Sequence, residues 1–360
     1  MPGLPELHDR ARELLDPVRY DFFAGGAADE IALEENELAF RRLALLPRIL
    51  RGAAVRDLAV ELPGARASMP ILVSPTAFHR LAHPDGELAT ARATAAAGTV
   101  LVSSMASTVA VGDVAAAARS VDPAAAVWFQ LYLQPDLDVN GCLVRRAEDA
   151  GCSALVVTVD SPVFGRRGRD LRNGFHDLPA GFAAENMRDL PGAPPGGIRD
   201  IEMSPELSWE DLDRVRASTT LPVLLKGVLH PEDARLAVDR GIDGIVVSNH
   251  GGRQLDAVPA TVDALPRIAD AVAGRVPVLL DGGVRRGSDV ALALALGATA
   301  VGVGRPVVWG LAADGERGVR HVLGLLRDEF DHALALCGGR GAADLTRDLV
   351  VARGPGVRAW

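Results

Sequence analysis

The chain has 360 residues, 48% of them hydrophobic and 24% charged, with a net charge of −9. That length suits a single α/β barrel, while the acidic balance and the lack of a dense Lys/Arg cluster exclude a nucleic-acid groove. No run of about 18 apolar residues is available to cross a membrane, and the start MPGLPELHDRARELLDPV has no apolar leader core. The expectation is an acidic cytoplasmic protein. Its three cysteines, Cys142, Cys152 and Cys337, are odd in number and have no metal-ligand spacing, and the two in or beside a probable helix read as small core residues.

Residues 1–70 form an extension of two or three short helices and a hairpin around ELPGAR. ADEIALEENELAFRRL is one of the helices, with Asp29 as its expected N-cap. The extension is expected to close the N-terminal end of the barrel predicted beyond it. From residue 71 a rhythm sets in of short apolar runs alternating with alanine-rich helical stretches. The runs are ILVS (71–74), TVLVSS (99–104), AVWFQLY (126–132), ALVVTVD (154–160), PVLLKG (222–227), DGIVVSN (243–249), PVLLDGG (277–283) and TAVGVG (299–304). Stretches such as PEDARLAVDRG and RGSDVALALALG between them end in glycine, a usual helix stop.

Continuous apolar strands alternating with helices imply a parallel sheet covered on its outer faces. Eight such units predict a TIM (β/α)8 barrel over 71–336, with a C-terminal tail at 337–360, one domain overall. A doubly wound open sheet is the alternative, disfavoured by the strand count. The Gly-, Pro- and Arg-rich stretch from about 161 to 208 exceeds an ordinary connection and is expected to be a lid over the site.

In such a barrel the chemistry gathers where strands end. Lysine occurs once in the chain, against 37 arginines, and that lysine is Lys226 at the tip of the fifth strand. A compact, titratable ammonium serves where a planar guanidinium does not. The seventh and eighth tips read Asp281-Gly282-Gly283-Val284-Arg285 and Gly302-Val303-Gly304-Arg305. Glycines admit close backbone approach and helix N-termini favour anions, so a phosphate is expected there, clamped by Arg305. His250, in SNHGGRQ at the sixth tip, is the candidate base, with Asp160 of the fourth tip orienting its ring. Arg253 and Arg167 could together hold a carboxylate beside it.

The set SPTA, FQLY, TVDSPVFGRR, LLKGV, SNHGGRQLD, LDGGVRRG and VGRPVVW resembles the FMN-dependent L-2-hydroxy acid oxidases and dehydrogenases over nearly the whole chain. The resemblance implies oxidation of an L-2-hydroxy acid to the 2-oxo acid, with FMN as cofactor and flavin N5 as hydride acceptor. It makes His250 the base, Asp160 its partner, Arg167 and Arg253 the carboxylate ligands and Tyr132 a hydrogen-bond partner of the substrate. Lys226 would stabilise negative charge near flavin N1 and O2. Pro75, Thr76 and Ala77 would line the flavin, with Ser103, Gln130, Thr158 and Ser248 on its ring or ribityl chain. Asp281, Gly282, Gly283, Arg285, Gly304 and Arg305 would hold the ribityl and phosphate groups. Oxygen or another acceptor would reoxidise the flavin, and a homo-oligomer, specifically a tetramer, is implied.

Two positions depart from the family pattern. Phe22 replaces a tyrosine that offers its hydroxyl to the substrate carboxylate, and Met105 stands where glycolate oxidase has tryptophan. Both point to a roomier, apolar pocket and a larger, mandelate-like substrate. The alternatives are a lactate- or glycolate-type small-acid oxidase, another FMN barrel such as an isopentenyl diphosphate isomerase type, and a flavin-binding protein without catalysis. Residue patterns do not choose between removal of the hydroxyl proton with hydride transfer and removal of the α-proton.

Overall fold

The computed structural model describes residues 2–353. Eight parallel strands close into a barrel: β1 (Ile71–Val73), β2 (Leu101–Ser104), β3 (Val127–Tyr132), β4 (Ala154–Thr158), β5 (Val223–Val228), β6 (Gly244–Val247), β7 (Val278–Asp281) and β8 (Ala300–Val303). β8 pairs with β1 to complete the ring. All eight expected strands are present, most trimmed by one or two residues at an end, while β5 runs one residue further than expected, to Val228.

Side chains alternate along each strand. Leu72, Val102, Trp128, Val156, Leu224, Val246, Leu279 and Ala300 form the inner core, while Val73, Leu101, Phe129, Leu155 and Leu225 join the outer core under the helices. Both faces are therefore apolar, which is why the strands read as unbroken hydrophobic runs.

The extension is divided in its work. The hairpin Val60–Leu62/Ala65–Ala67 packs Leu62 and Ala67 into the inner core and closes the N-terminal end, as expected. Helices α1 (Leu4–Leu14), α2 (Pro17–Ala24) and α3 (Ile31–Arg41) do not. The segment joining α2 to α3 reaches the opposite face: the Ala27 N–H donates to the Gly252 carbonyl at 2.8 Å. Asp29 does not cap α3. Glu30 holds the N-cap position in a left-handed conformation. The cap comes instead from Asp256 after β6, whose carboxylate accepts from the N–H groups of Asp29 at 3.1 Å and Ala32 at 2.9 Å.

The tail is not independent either. Val350–Ala352 pairs antiparallel with Leu43–Leu45, tying the end of the described chain to the extension. The remainder of the expected tail, 354–360, lies outside the described residues.

Candidate active site

At the C-terminal ends of the strands lies a cavity of about 780 Å³, covered by the 161–208 segment, which contributes Phe164, Arg167, Asp170, Phe175 and Phe182 to its wall. The lid expectation holds. The expected residues Phe22, Pro75, Thr76, Ala77, Tyr132, Arg167, Lys226, His250, Arg253, Asp281, Gly282, Gly283, Arg285, Gly304 and Arg305 all line this cavity.

Asp160 stands behind the lining and acts through His250. Its Oδ1 lies 2.8 Å from His250 Nδ1, so the Nδ1–H points at the carboxylate and Nε2 is left bare. Tyr132 Oη is 3.3 Å from that Nε2. Burial lowers the His250 pKa below its ordinary value; Asp160 opposes this, and Lys226 and Arg253 reinforce it. The ring is thus neutral near pH 7, the form a base requires. Burial pushes Asp160 upward, but His250, Lys226 and Ser161 outweigh it and bring the carboxyl to about 2. It stays ionised and ready to stabilise the imidazolium.

Lys226 reaches its place because β5 bulges between Lys226 and Val228. Gly227 makes this possible: its φ is +104°, and a Cβ there would come within 2.6 Å of Asp160 Cβ. The ammonium donates to Ser248 Oγ at 2.9 Å and lies 3.5 Å from Asp281 Oδ2. Ser248 Oγ also accepts the His250 backbone N–H at 3.1 Å, so one hydroxyl ties cation to base.

Arg253 and Arg305 are half-buried guanidiniums without a carboxylate partner among the described residues. Arg253 Nη1 donates to the carbonyls of Phe22 and Gly25, both at 2.8 Å. Arg305 donates to the carbonyls of Phe23, Gly251 and Gly25 at 3.0, 2.8 and 2.9 Å. Burial lowers the pKa of both, Arg305 to about 10 with Arg285 adding to the effect. Guanidiniums aligned by carbonyls yet uncompensated in charge call for anions in the cavity. Arg167 is paired loosely, 3.4 Å from Asp170.

Four expected residues, Ser103, Gln130, Thr158 and Ser248, stand one layer behind the lining. Ser104 donates to Gln130 Oε1 at 3.0 Å and Gln130 Nε2 donates to Thr158 Oγ1 at 3.1 Å. Met105 is a correction. It is fully buried and does not line the cavity, whereas its neighbours Ser104 and Ala106 do. The Met105 N–H continues the ladder to the Gln130 carbonyl at 2.9 Å, so strand alternation turns its side chain away from the face Ser104 presents. Phe78, Phe164, Phe175 and Phe182 were missed. Their signal was distributional: six of the nine phenylalanines, with Phe22 and Phe23, line this one cavity.

One orphaned atom of the lining tests what fits. Asp281 Oδ1 is buried without a protein partner, and such a group costs free energy unless a ligand satisfies it. Beside Asp281, Gly282 and Gly283 have φ of +98° and +85°, and a Cβ on Gly283 would come within 2.0 Å of the Asn36 carbonyl. A polyhydroxyl chain ending in an anion suits this acceptor, glycine turn and arginine set. The barrel and its site define an enzyme with a pocket for a phosphorylated cofactor beside a His–Asp base.

Residues 11–352 match the FMN-dependent dehydrogenase family. The chain is 47% identical to glycolate oxidase 3 of Arabidopsis thaliana over 345 residues, covering 94% of this chain and 92% of that one. It is 44% identical to 2-hydroxyacid oxidase 2 of Bos taurus over 351 residues, covering 96% and 97%. A crystal structure of mandelate oxidase with (S)-2-phenylpropionate superposes with a TM-score of 0.88, at 44% identity and 98% coverage of both chains. The chain belongs to the FMN-dependent dehydrogenase family. It is an FMN-dependent enzyme of 2-hydroxy acid oxidation.

FMN fits the residues present. Asp281 with its free oxygen, Gly282, Gly283 and Gly304, and the Arg285 and Arg305 cations would hold the ribityl phosphate, and Lys226 the ring.

Proposed function

We propose that the preferred substrate is a bulky, aryl L-2-hydroxy acid of the mandelate kind. Relatives named for glycolate and a structural neighbour named for mandelate share this scaffold, so the preference is argued from the pocket. The carrying observation is Phe22. Its ring packs 5.2 Å from Phe175 and 6.0 Å from Phe78, centroid to centroid. The same ring lies 5.3 Å from Arg253 Cζ and 5.9 Å from Arg167 Cζ. It thus joins an aromatic wall to the two carboxylate-binding guanidiniums, holding them by cation–π attraction without competing for their N–H donors.

Bound FMN supplies the acceptor for the two electrons removed from the substrate. The protein does the rest. Arg253 and Arg167 bind the carboxylate, Tyr132 orients the reacting oxygen, His250 Nε2 takes a proton, and Asp160 stabilises the cation so formed. A tetrameric assembly forms part of the proposal, to be measured by light scattering.

A phenyl group buried against this wall contributes on the order of 2 kcal/mol at about 25 cal/mol per Å². The expected order of kcat/KM is mandelate above lactate and lactate above glycolate. Phe22→Tyr, which restores a hydroxyl donor, should help the small acids most and narrow the gap. A wild-type preference for glycolate over mandelate overturns the proposal.

A further inference from the structure

Asn36 lies on α3 of the extension and Asn249 immediately precedes His250, yet their amides meet in the interior, 2% and 4% exposed. They exchange two hydrogen bonds: Asn36 Nδ2 donates to Asn249 Oδ1 at 2.9 Å, and Asn249 Nδ2 donates to Asn36 Oδ1 at 2.8 Å. Asn36 Oδ1 also accepts the Thr261 N–H at 3.3 Å, and Asn249 Nδ2 also donates to the Pro259 carbonyl at 3.3 Å. A buried polar network this well satisfied specifies one arrangement; removing a member leaves its partners desolvated and unpaired.

What the network specifies is the turn that carries the base. The Gly252 N–H donates to the Asn249 backbone carbonyl at 3.0 Å and to Asn249 Oδ1 at 3.2 Å. Between these residues, His250 has a φ of +58°. A side-chain-bearing residue persists in that region only where its surroundings over-determine it. The turn swings the imidazole so that Nδ1 lies 2.8 Å from Asp160 and Nε2 faces Tyr132.

We infer that Asn36 is a positioning residue for the base: through Asn249 it holds the left-handed turn that aims His250. Asn36 does not line the cavity and touches no reacting group. Arg253, three residues past His250, is held separately by the Phe22 and Gly25 carbonyls, so substrate binding does not depend on the amide pair. The inference rests on His250 acting as base and is independent of which acid is preferred.

The test is anaerobic stopped-flow bleaching of the FMN-loaded enzyme by a saturating 2-hydroxy acid. Asn36→Leu should lower the limiting rate by about 10²-fold, the scale of a 1 Å misplacement, with KM nearly unchanged. Asn36→Asp keeps an oxygen for Asn249 Nδ2 and the Thr261 N–H, and should recover part of the loss. A lowered Tm with a wild-type limiting rate would mark a purely structural asparagine and overturn the inference. Should Asn36→Leu not accumulate folded, Asn36→Asp carries the test alone: a reduced kcat at constant KM supports it and a wild-type kcat overturns it. His250→Ala in the same assay separates the two ideas. If that variant reduces its cofactor normally, the base assignment fails; if only the Asn36 variants do, this inference fails.

Discussion

The strand tips and the N-terminal extension both build the active site, but by different means. The tips act through side chains: Tyr132, Lys226, His250 and Asp281 stand on strands or just past them, and each side chain is the functional group. The extension acts largely through its backbone, with the carbonyls of Phe22, Phe23 and Gly25 aligning Arg253 and Arg305. A rigid barrel supplies chemistry, and a packed strap supplies orientation. Substitution at a tip should therefore remove a functional group outright, whereas substitution in the strap should act only through what it orients: substrate affinity, the aim of His250 through Asn36, or stability.

The largest effect is expected at the tips. His250→Ala should retain FMN and lose cofactor reduction by about 10²–10⁴-fold, the usual worth of a positioned base. The same residue sets the acid limb of the wild-type rate. Its neutral form is the active one and its pKa lies below 6.5, so the rate should fall only as pH drops below that value. Asp160, at about 2, remains ionised throughout. A limb centred above 6.5 would contradict the assignment.

Arg253 joins the two regions, so Arg253→Met should weaken 2-oxo acid binding by about 2–5 kcal/mol, as for a buried charged contact, while the flavin spectrum persists. Inhibitor titration measures this, and unchanged affinity would place the carboxylate elsewhere. The smallest effect belongs to the strap alone. Asp256→Ala removes the cap that a tip loop lends to α3 and should cost about 1 kcal/mol of stability, read as a lower Tm with kcat nearly intact. A large kcat loss there would erase the distinction between chemistry and orientation.

This division also explains what could be read from the chain. The tips were legible because a lone lysine, an SNHGGRQ run and two Gly-Arg turns are chemical identities at predictable positions. The barrel was legible because strands buried on both faces leave unbroken apolar runs. The strap was not, because a carbonyl oxygen has no sequence signature: Gly25 aligns two arginines and looks like any glycine. Asp29 was a sound local cap that lost to Asp256, 227 residues away in sequence, and no local pattern encodes such a contact. Met105 failed differently. One position past the last assigned residue of β2 still obeys strand alternation, so its side chain faces the core.

The pairing of Leu43–Leu45 with Val350–Ala352 has a consequence for how the protein is made. During synthesis the extension precedes the barrel, but Gly25 and Asn36 lack their arginine and amide partners, and Phe22 one of its own, until residues 249–305 are added. A nascent chain thus carries an incompletely partnered strap until those residues are made, and the strand at 43–45 waits for residues 350–352. Segments paired across so long a stretch of chain gain their contacts late. The site that would hold FMN is therefore completed only once residues 278–305 have joined the strap.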